Sequence, residues 1–354
     1  MKTIYFNQWF SSITDVIADI KAKHGDSVKI IGSSKNPDHA YKGVVDEFIV
    51  EDWEDSSDTV ESDNNYLKWL IETLKSNKVD IFFAKKHSSI ISKNIDKLEE
   101  IGVYTILENH ETLGRFDKKS DVYKELLTVK ELKHYIPVFY NGTSLNNITD
   151  LINSSVKGSP WCFKLDTDEG GYSYRAIEQD ELDLSSLNHF RVNSISASEA
   201  VSLVSKLSKS ELDKLLFMEI LDSPEISVDC YNSKQGFIAI CREKKSGTRV
   251  QKIYRNDEIS KICENIGKHY DLKYTFNVQF RVHHKSDKSN IENLRLLEIN
   301  PRMSGGTYYA TLLGINLANI CLNDIIGESN ASSMELYNKL TENSVTHVEK
   351  AVLL

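Results

Sequence analysis

A carboxylate, an amide and a guanidinium occur at alternate positions where an apolar strand enters a Pro/Gly-rich turn. They belong to Glu298, Asn300 and Arg302, with Leu297 and Ile299 between them. Residues i and i+2 of a strand share one face, so the polar groups should point into one cavity while the apolar residues enter the core. Magnesium prefers hard oxygen ligands beside phosphate, and a nearby arginine can neutralise a phosphoryl group in transfer. The simpler alternative is a strand whose polar groups are merely solvated, which the apolar alternation disfavours.

A second strand pattern lies upstream. Residues 276–282 alternate as a strand, and the polar residues 284–292 form a plausible hairpin loop that returns into residues 294–300. Antiparallel pairing would bring Gln279 near Glu298 and Asn300 and add another oxygen ligand.

These two segments, Asn-Val-Gln-Phe at 277–280 and Leu-Glu-Ile-Asn-Pro-Arg-Met-Ser-Gly-Gly at 297–306, resemble the ATP-grasp superfamily. The resemblance is closest to single-chain relatives of the carbamoyl phosphate synthetase large subunit. It implies that Gln279, Glu298 and Asn300 bind Mg²⁺ and that Arg302 acts on the terminal phosphate of ATP. Mn²⁺ is expected to substitute for Mg²⁺.

Two lysines are candidates for the phosphates. The resemblance suggests that Lys118, just before a predicted helix, reaches them, although a lysine on a surface helix looks the same. Lys164 is the single charge in the apolar strand Trp-Cys-Phe-Lys. A buried lysine is costly unless it is paired, and phosphate is a natural partner.

The turn after Lys164 occupies the place of the family's glycine-rich phosphate lid. Gly170 and Gly171 could expose backbone amides to phosphate oxygens, and a lid could exclude water. The sequence departs from the family pattern because Lys164 is followed by leucine and because Asp166, Asp168 and Glu169 flank the glycines. These acids would repel phosphate unless they turn outward or hold a second cation.

The resemblance also implies a nucleotide hinge. The backbone of Glu219, Ile220 and Leu221 would read the adenine edge, and Glu225 would accept hydrogen bonds from the ribose hydroxyls. The alternative is an edge strand followed by a turn and another strand. Farther along, Arg242 begins a basic cluster that could bind an anionic substrate or form a solvated hairpin tip.

Strands and helices alternate through the first ~115 residues, which predicts a doubly wound parallel sheet. The expected fold is α/β and α+β: an N-terminal α/β domain over 1–116, then a two-lobed ATP-grasp fold. Its small lid subdomain covers 117–215, and its large subdomain with the metal site covers 216–354.

Composition describes a soluble globular protein, with 40% hydrophobic and 27% charged residues. The net charge of -9 argues against a nucleic-acid partner. No signal peptide or membrane span is evident, so a cytoplasmic location is expected. The five cysteines form no C-x-x-C pair and are interpreted as buried small hydrophobes.

The resemblance implies an ADP-forming carboxylate-amine ligase. A substrate carboxylate would attack the γ-phosphate of ATP, and an amine would then displace phosphate from the acyl phosphate. Lys164, Arg302 and Arg242 are the candidate catalytic residues. The expected partners are small-molecule carboxylates and amines, with no nucleic acid or membrane, and a homodimer is one expected assembly. Two alternatives remain: carbamoyl-phosphate-synthetase-like activation of bicarbonate, and a nucleotide-binding regulatory protein with weakened catalysis.

Overall fold

The computed structural model describes residues 1–10, 12–142, 145–155, 160–168, 170–178, 193–244 and 247–347. Contacts divide the chain into two compact units. Unit 1 comprises Met1–Gly114, Ser227–Val278 and Ile299–Leu354. Unit 2 comprises Arg115–Ile226 and Gln279–Glu298. The three consecutive domains expected from the sequence stay a prediction, because this division follows contacts rather than chain order.

Unit 1 begins with the expected parallel sheet, whose strand order is β3-β2-β1-β4-β5. Its strands are β1 (Lys2–Asn7), β2 (Val28–Ser34), β3 (Glu47–Val50), β4 (Ile81–Phe83) and β5 (Tyr104–Ile106). The helices among them are α1 (Ile13–His24), α2 (Thr59–Ser76), α3 (Ser88–Ser92), α4 (Ile95–Glu99) and α5 (His110–Gly114). The mixed α/β class predicted from the alternation is confirmed.

Both faces of this sheet are buried, as parallel sheets require. Ile4 and Phe6 of β1 pack in the cluster that contains the apolar face of α1. Tyr5, pointing the opposite way, packs in a second cluster with Tyr66 and Leu70 of α2. The period of two along β1 therefore sends alternate side chains to helices on opposite faces.

Unit 2 is built on a mixed sheet in the order β6-β10-β7-β8-β9. The strands are β6 (Phe139–Asn141), β7 (Trp161–Leu165), β8 (Arg175–Glu178), β9 (Ser194–Ser196) and β10 (Leu215–Glu219). Its helices are α6 (Lys119–Leu126), α7 (Leu145–Ser155), α8 (Ala197–Val204) and α9 (Lys209–Leu212). Phe163 of β7 and Phe217 of β10 face a core that includes Ile148 and Ile152 of α7. One face of the sheet is thus closed by helices.

A third sheet has the order β15-β14-β11-β12-β13-β16. Its strands are β11 (Leu221–Ser233), β12 (Gly236–Lys244), β13 (Val250–Tyr254), β14 (Phe276–His283), β15 (Leu294–Asn300) and β16 (Asn343–Thr346). The chain passes from one unit to the other within β11, β14 and β15. The last helices are α10 (Asp257–Tyr270), α11 (Tyr308–Thr311), α12 (Leu317–Ile326) and α13 (Ala331–Asn338).

Two smaller expectations have clear outcomes. All five cysteines are buried and free, as predicted. Among the described helices, none combines the length and the apolarity needed to cross a bilayer.

Candidate functional site

Lys164 is a buried cation in unit 2. Strand β7 alternates, so Phe163 enters the apolar cluster while Lys164 lies on the other face of the sheet. Its residue is only 5% exposed. Burial, followed by the charge of Lys119, lowers the pKa of the Lys164 ammonium to about 8. The positive charges of Lys164 and Lys119 therefore repel each other. An anionic ligand bound beside them would relieve this repulsion.

Lys119, rather than Lys118, is the second lysine of this group. Lys118 is exposed and precedes the first residue of α6. The Nζ of Lys119 lies 3.5 Å from Oε2 of Glu298 and donates to the carbonyl of Asp168. The start of α6 therefore directs the neighbouring Lys119 toward Glu298, while the phosphate role expected for Lys118 stays a prediction. No signal in the sequence separated these adjacent lysines.

The acids of the lid turn have partners within unit 2. Asp166 is 2% exposed, and its carboxylate accepts hydrogen bonds from the backbone N–H and the hydroxyl of Ser120. Asp168 accepts from the N–H of Ser173 at 3.1 Å. The bonds of Asp166 connect the turn to the start of α6, and the bond of Asp168 lies within the turn. Glu169 lies outside the described residues. Asp166 is thus a buried structural acceptor for α6.

The two glycines of this turn both have a φ of 73°. Residues with a side chain rarely adopt this left-handed backbone conformation, so Gly170 and Gly171 are suited to a tight turn at this position. Their contact with phosphate stays a prediction.

The hinge segment is already engaged by neighbouring groups. The N–H groups of Glu219 and Ile220 donate to the carbonyls of Val138 and Pro160, each at 3.0 Å. The carbonyl of Leu221 accepts from Nη1 of Arg281 at 3.3 Å. Adenine recognition by Glu219, Ile220 and Leu221 stays a prediction. It would have to use backbone groups of this segment other than the three hydrogen-bonded groups just described.

The side chain of Glu219 is also used. Its Oε1 accepts from the N–H of Val138 at 2.9 Å, and its Oε2 lies 2.6 Å from Nδ1 of His283. The carboxylate therefore joins the hinge to strand β14 of the third sheet.

Strand β14 presents one polar face. Gln279, Arg281 and His283 occur at alternate positions and are half-buried, whereas Val278, Phe280 and Val282 are buried. The sequence interpretation used Gln279 and missed Arg281 and His283. The same alternation that identified Gln279 could have identified them. Arg281 lies beside Glu225, with 3.7 Å between Nε and Oε2.

The proposed metal ligands fall in both units. Gln279 and Glu298 belong to unit 2, on the hydrogen-bonded neighbours β14 and β15. The hydroxyl of Tyr123 in α6 donates to the carbonyl of Leu297 at 2.6 Å and so supports β15 beside Glu298. Asn300, the last residue of β15, belongs to unit 1.

The donor types suit magnesium. Glu298 and Gln279 offer carboxylate and amide oxygens, which are hard ligands. Within the described ranges, no group of three or more His, Cys, Asp or Glu side chains could hold a metal ion. These residues fit an ion that takes few protein ligands and completes its coordination with phosphate and water, as magnesium commonly does.

Arg242, in unit 1, is buried and hydrogen-bonded to neighbouring side chains. It is 6% exposed, and its Nε donates to Asp229 at 2.6 Å. Its Nη2 donates to the hydroxyls of Ser227 at 2.8 Å and Ser304 at 2.9 Å. Arg242 itself is therefore not solvated, whereas Lys244 and Arg249 of the same basic cluster are exposed. The guanidinium is buried and paired with a carboxylate, so a catalytic or anion-binding role for Arg242 stays a prediction that would have to use this paired group.

The loop after β15 packs closely against other residues of unit 1. A Cβ added to Gly306 would lie 2.3 Å from Nη1 of Arg242, and one added to Gly305 would lie 3.1 Å from the ring of Phe10. The two glycines thus allow the loop that follows Arg302 to approach an arginine on one side and an aromatic ring on the other. Arg302 itself is half-buried, and its phosphate role stays a prediction.

A small open depression lies beside this loop. Its lining includes Trp9, Phe10, Met303 and Tyr308, all in unit 1. The hydroxyl of Ser12 closes one wall by donating to the carbonyl of Gly305 at 2.8 Å.

One family model matches the C-terminal part of the chain. Residues 211–351 match the family model described as ATP-grasp in the biosynthetic pathway with Ter operon. No curated protein matches the sequence significantly.

Solved structures with the same fold cover most of the chain. The N5-carboxyaminoimidazole synthetase of Staphylococcus aureus, complexed with ADP, is 16% identical with a TM-score of 0.61, over 93% of this chain and 78% of that one. The biotin carboxylase of Campylobacter jejuni, in a β,γ-ATP complex, is 13% identical with a TM-score of 0.64, over 94% and 72%.

The biotin carboxylase domain of Hydrogenobacter thermophilus 2-oxoglutarate carboxylase was solved as a dimer with MgADP, ADP and bicarbonate. It is 11% identical with a TM-score of 0.61, over 92% of this chain and 70% of that one. At these identities the similarity to solved structures shows the fold. The ATP-grasp resemblance of the two motifs is confirmed, whereas the likeness to the carbamoyl phosphate synthetase large subunit stays a prediction.

Proposed function

We propose that this chain, which has the ATP-grasp fold, is an ATP- and Mg²⁺-dependent ligase. It would activate a carboxylate as an acyl phosphate for attack by an amine and form ADP and phosphate. The single observation that carries the proposal is the group formed by Lys164, Lys119 and Glu298 in unit 2. A buried lysine with a lowered pKa, a second lysine and the carboxylate of the strand motif lie together, and this combination supports binding of a triphosphate with a divalent cation.

The two lysines would act on the phosphates. Negative charge on the bound triphosphate would favour the ammonium form of Lys164, and both cations would stabilise the γ-phosphoryl group during transfer. Arg302 is proposed to act on the same group. The lid glycines, Gly170 and Gly171, would donate backbone N–H groups to phosphate oxygens.

Gln279, Glu298 and Asn300 are proposed to hold Mg²⁺, and Mn²⁺ is an expected substitute. When bound, the ion supplies charge neutralisation on the phosphates. The remaining work of the chain is to hold the carboxylate and the γ-phosphate in line, which lowers the barrier without a side-chain nucleophile.

The hinge residues Glu219, Ile220 and Leu221, with Glu225, are proposed to hold the nucleoside.

Activation of bicarbonate is a second candidate function. The biotin carboxylase domain with a similar fold was solved with bicarbonate, which supports this alternative. The regulatory alternative rested on repulsion by the lid acids. The buried hydrogen bonds of Asp166 weaken that argument.

Phosphate release across pairs of amino acids and small carboxylic acids tests the proposal. In a productive pair, ¹⁸O in the substrate carboxylate should appear in the released phosphate, because attack on the acyl phosphate breaks the carbon–oxygen bond. Phosphate that carries no label would contradict an acyl phosphate. A requirement for bicarbonate in place of an organic acid would select the second candidate.

The matched variants are Glu298→Gln and Glu292→Gln. Glu292 is also in unit 2, but its side chain is 68% exposed and pairs with His134. Glu298→Gln should lose turnover by at least about 100-fold, consistent with several kcal/mol from the metal. Glu292→Gln should retain full turnover. Equal turnover in both variants would remove Glu298 from the site.

A further inference from the structure

We propose that Arg281 and Glu225 together bind the sugar of the nucleotide and make this protein selective for ribonucleotides. This inference rests on the proposed function, because it assigns a new residue to the nucleotide site. It goes beyond the resemblance, which pointed to Glu225 alone.

The first observation is the incomplete bonding of Arg281. Its Nη1 donates to the carbonyl of Leu221 at 3.3 Å, which anchors the guanidinium to the hinge. Its Nε is buried without a hydrogen-bond partner, although Oε2 of Glu225 is 3.7 Å away. This distance allows charge attraction but exceeds that of a hydrogen bond. A buried N–H without an acceptor is costly, so Arg281 keeps hydrogen-bonding capacity that its neighbours in the protein do not use.

The second observation is the place of Arg281 along β14. Its neighbours on the polar face are Gln279, a proposed metal ligand, and His283, which contacts Glu219 of the hinge. Residues two apart on a strand are separated by about 6.6 Å. Arg281 therefore lies between the residues assigned to the phosphates and those assigned to the base, which is where the sugar of a bound nucleotide belongs.

The third argument is chemical complementarity. A carboxylate only accepts hydrogen bonds, a guanidinium only donates them, and a sugar hydroxyl does both. The ribose hydroxyls can donate to Glu225 and accept from Arg281, so the sugar can satisfy the carboxylate and the guanidinium together. Both side chains are about one third exposed, at 31% for Arg281 and 32% for Glu225, and remain open to a ligand. A dideoxy sugar would leave both groups without these bonds.

The structural alternative is an ion pair that only orders the strands. Partly exposed pairs contribute little to stability, so such a role predicts small and unselective effects. Selectivity for the sugar separates the two roles because a merely structural pair would weaken ATP and 2′,3′-dideoxyATP equally.

Calorimetric titration with ATP and with 2′,3′-dideoxyATP tests the inference. We expect the wild-type protein to bind ATP at least about 10-fold more tightly, since a site built for hydroxyls rejects an analogue that lacks them. Arg281→Ala should weaken ATP and reduce this ratio to about threefold or less, and Glu225→Gln should also reduce it. If the alanine variant does not fold, Arg281→Lys replaces it in the test. This variant keeps a positive charge but lacks the guanidinium fork, so it should also reduce the ratio.

The matched control is Arg295→Ala. Arg295 is in the same unit, and its Nη1 donates to the carbonyls of Glu292 and Leu294. This variant should keep the wild-type ratio. An unchanged ratio in folded Arg281 variants, or no sugar selectivity in the wild-type protein, would overturn the inference and leave the ligase proposal standing. Failure of the wild-type protein to bind any nucleotide would overturn both.

Discussion

The ammonium of Lys119 lies 3.5 Å from the carboxylate of Glu298, with side chains 14% and 20% exposed. This pair links the first turn of α6 to the strand motif through residues that are far apart in sequence. In the proposed reaction, both groups serve the phosphates: Lys119 directly, and Glu298 through a metal ion. The contact gives the two adjacent lysines different expected roles.

Lys119→Met should weaken ATP binding by about 10- to 100-fold, because a hydrogen bond to a charged group contributes about 1.5–3 kcal/mol. Lys118→Met should have little effect, since Lys118 is exposed. Calorimetric titration of both variants with ATP and ADP provides the measurement. A larger loss in the Lys118 variant would restore the assignment made from the sequence.

The affinity for ATP should depend on pH through Lys164. Its lowered pKa, about 8, means that the free protein loses this proton as the pH rises through 8. A bound triphosphate favours the charged form, so binding should take up a proton above this pH and affinity should fall by up to about 10-fold per pH unit.

Titrations between pH 7 and 9.5 in buffers of different ionisation enthalpy measure both affinity and proton uptake. Lys164→Arg keeps its charge over this range. It should therefore abolish this pH dependence, even if its altered shape weakens binding overall. The same pH profile in wild type and Lys164→Arg would exclude Lys164 as its source.

Asp166→Ala should destabilise the protein rather than tighten ATP binding. The buried carboxylate accepts two hydrogen bonds from Ser120, and its loss leaves buried donors without an acceptor. We expect the free energy of unfolding to fall by about 1–3 kcal/mol in urea denaturation. Asp121→Ala is the control, because that side chain is 57% exposed on the same helix and should cost little. Tighter ATP binding by Asp166→Ala would instead support repulsion of phosphate by this acid.

Gly306→Ala should also destabilise the protein, by about 1–3 kcal/mol, because the new Cβ would lie 2.3 Å from the guanidinium of buried Arg242. Gly114→Ala is the matched control, since no heavy atom lies within 4 Å of its added Cβ. Urea denaturation of the two variants is the measurement. Equal stabilities would show that the loop after β15 adjusts without cost.

The sequence by itself determined the fold class and the polar strand face of the candidate site. Alternating apolar residues specify which side chains leave the core, so Gln279, Glu298 and Lys164 could be identified from local periodicity. The two motifs also supplied the ATP-grasp resemblance that the comparisons confirm.

Only the tertiary structure decided which partners those groups meet. Lys118 and Lys119 are neighbours of the same type, and the rotation of α6 selects Lys119. Asp166 became an acceptor for α6 through a contact between segments 46 residues apart, and Arg242 a buried partner of Asp229 on the neighbouring strand of its sheet. Periodicity specifies a face within one element, whereas pairing depends on the packing of several elements, which no local pattern encodes.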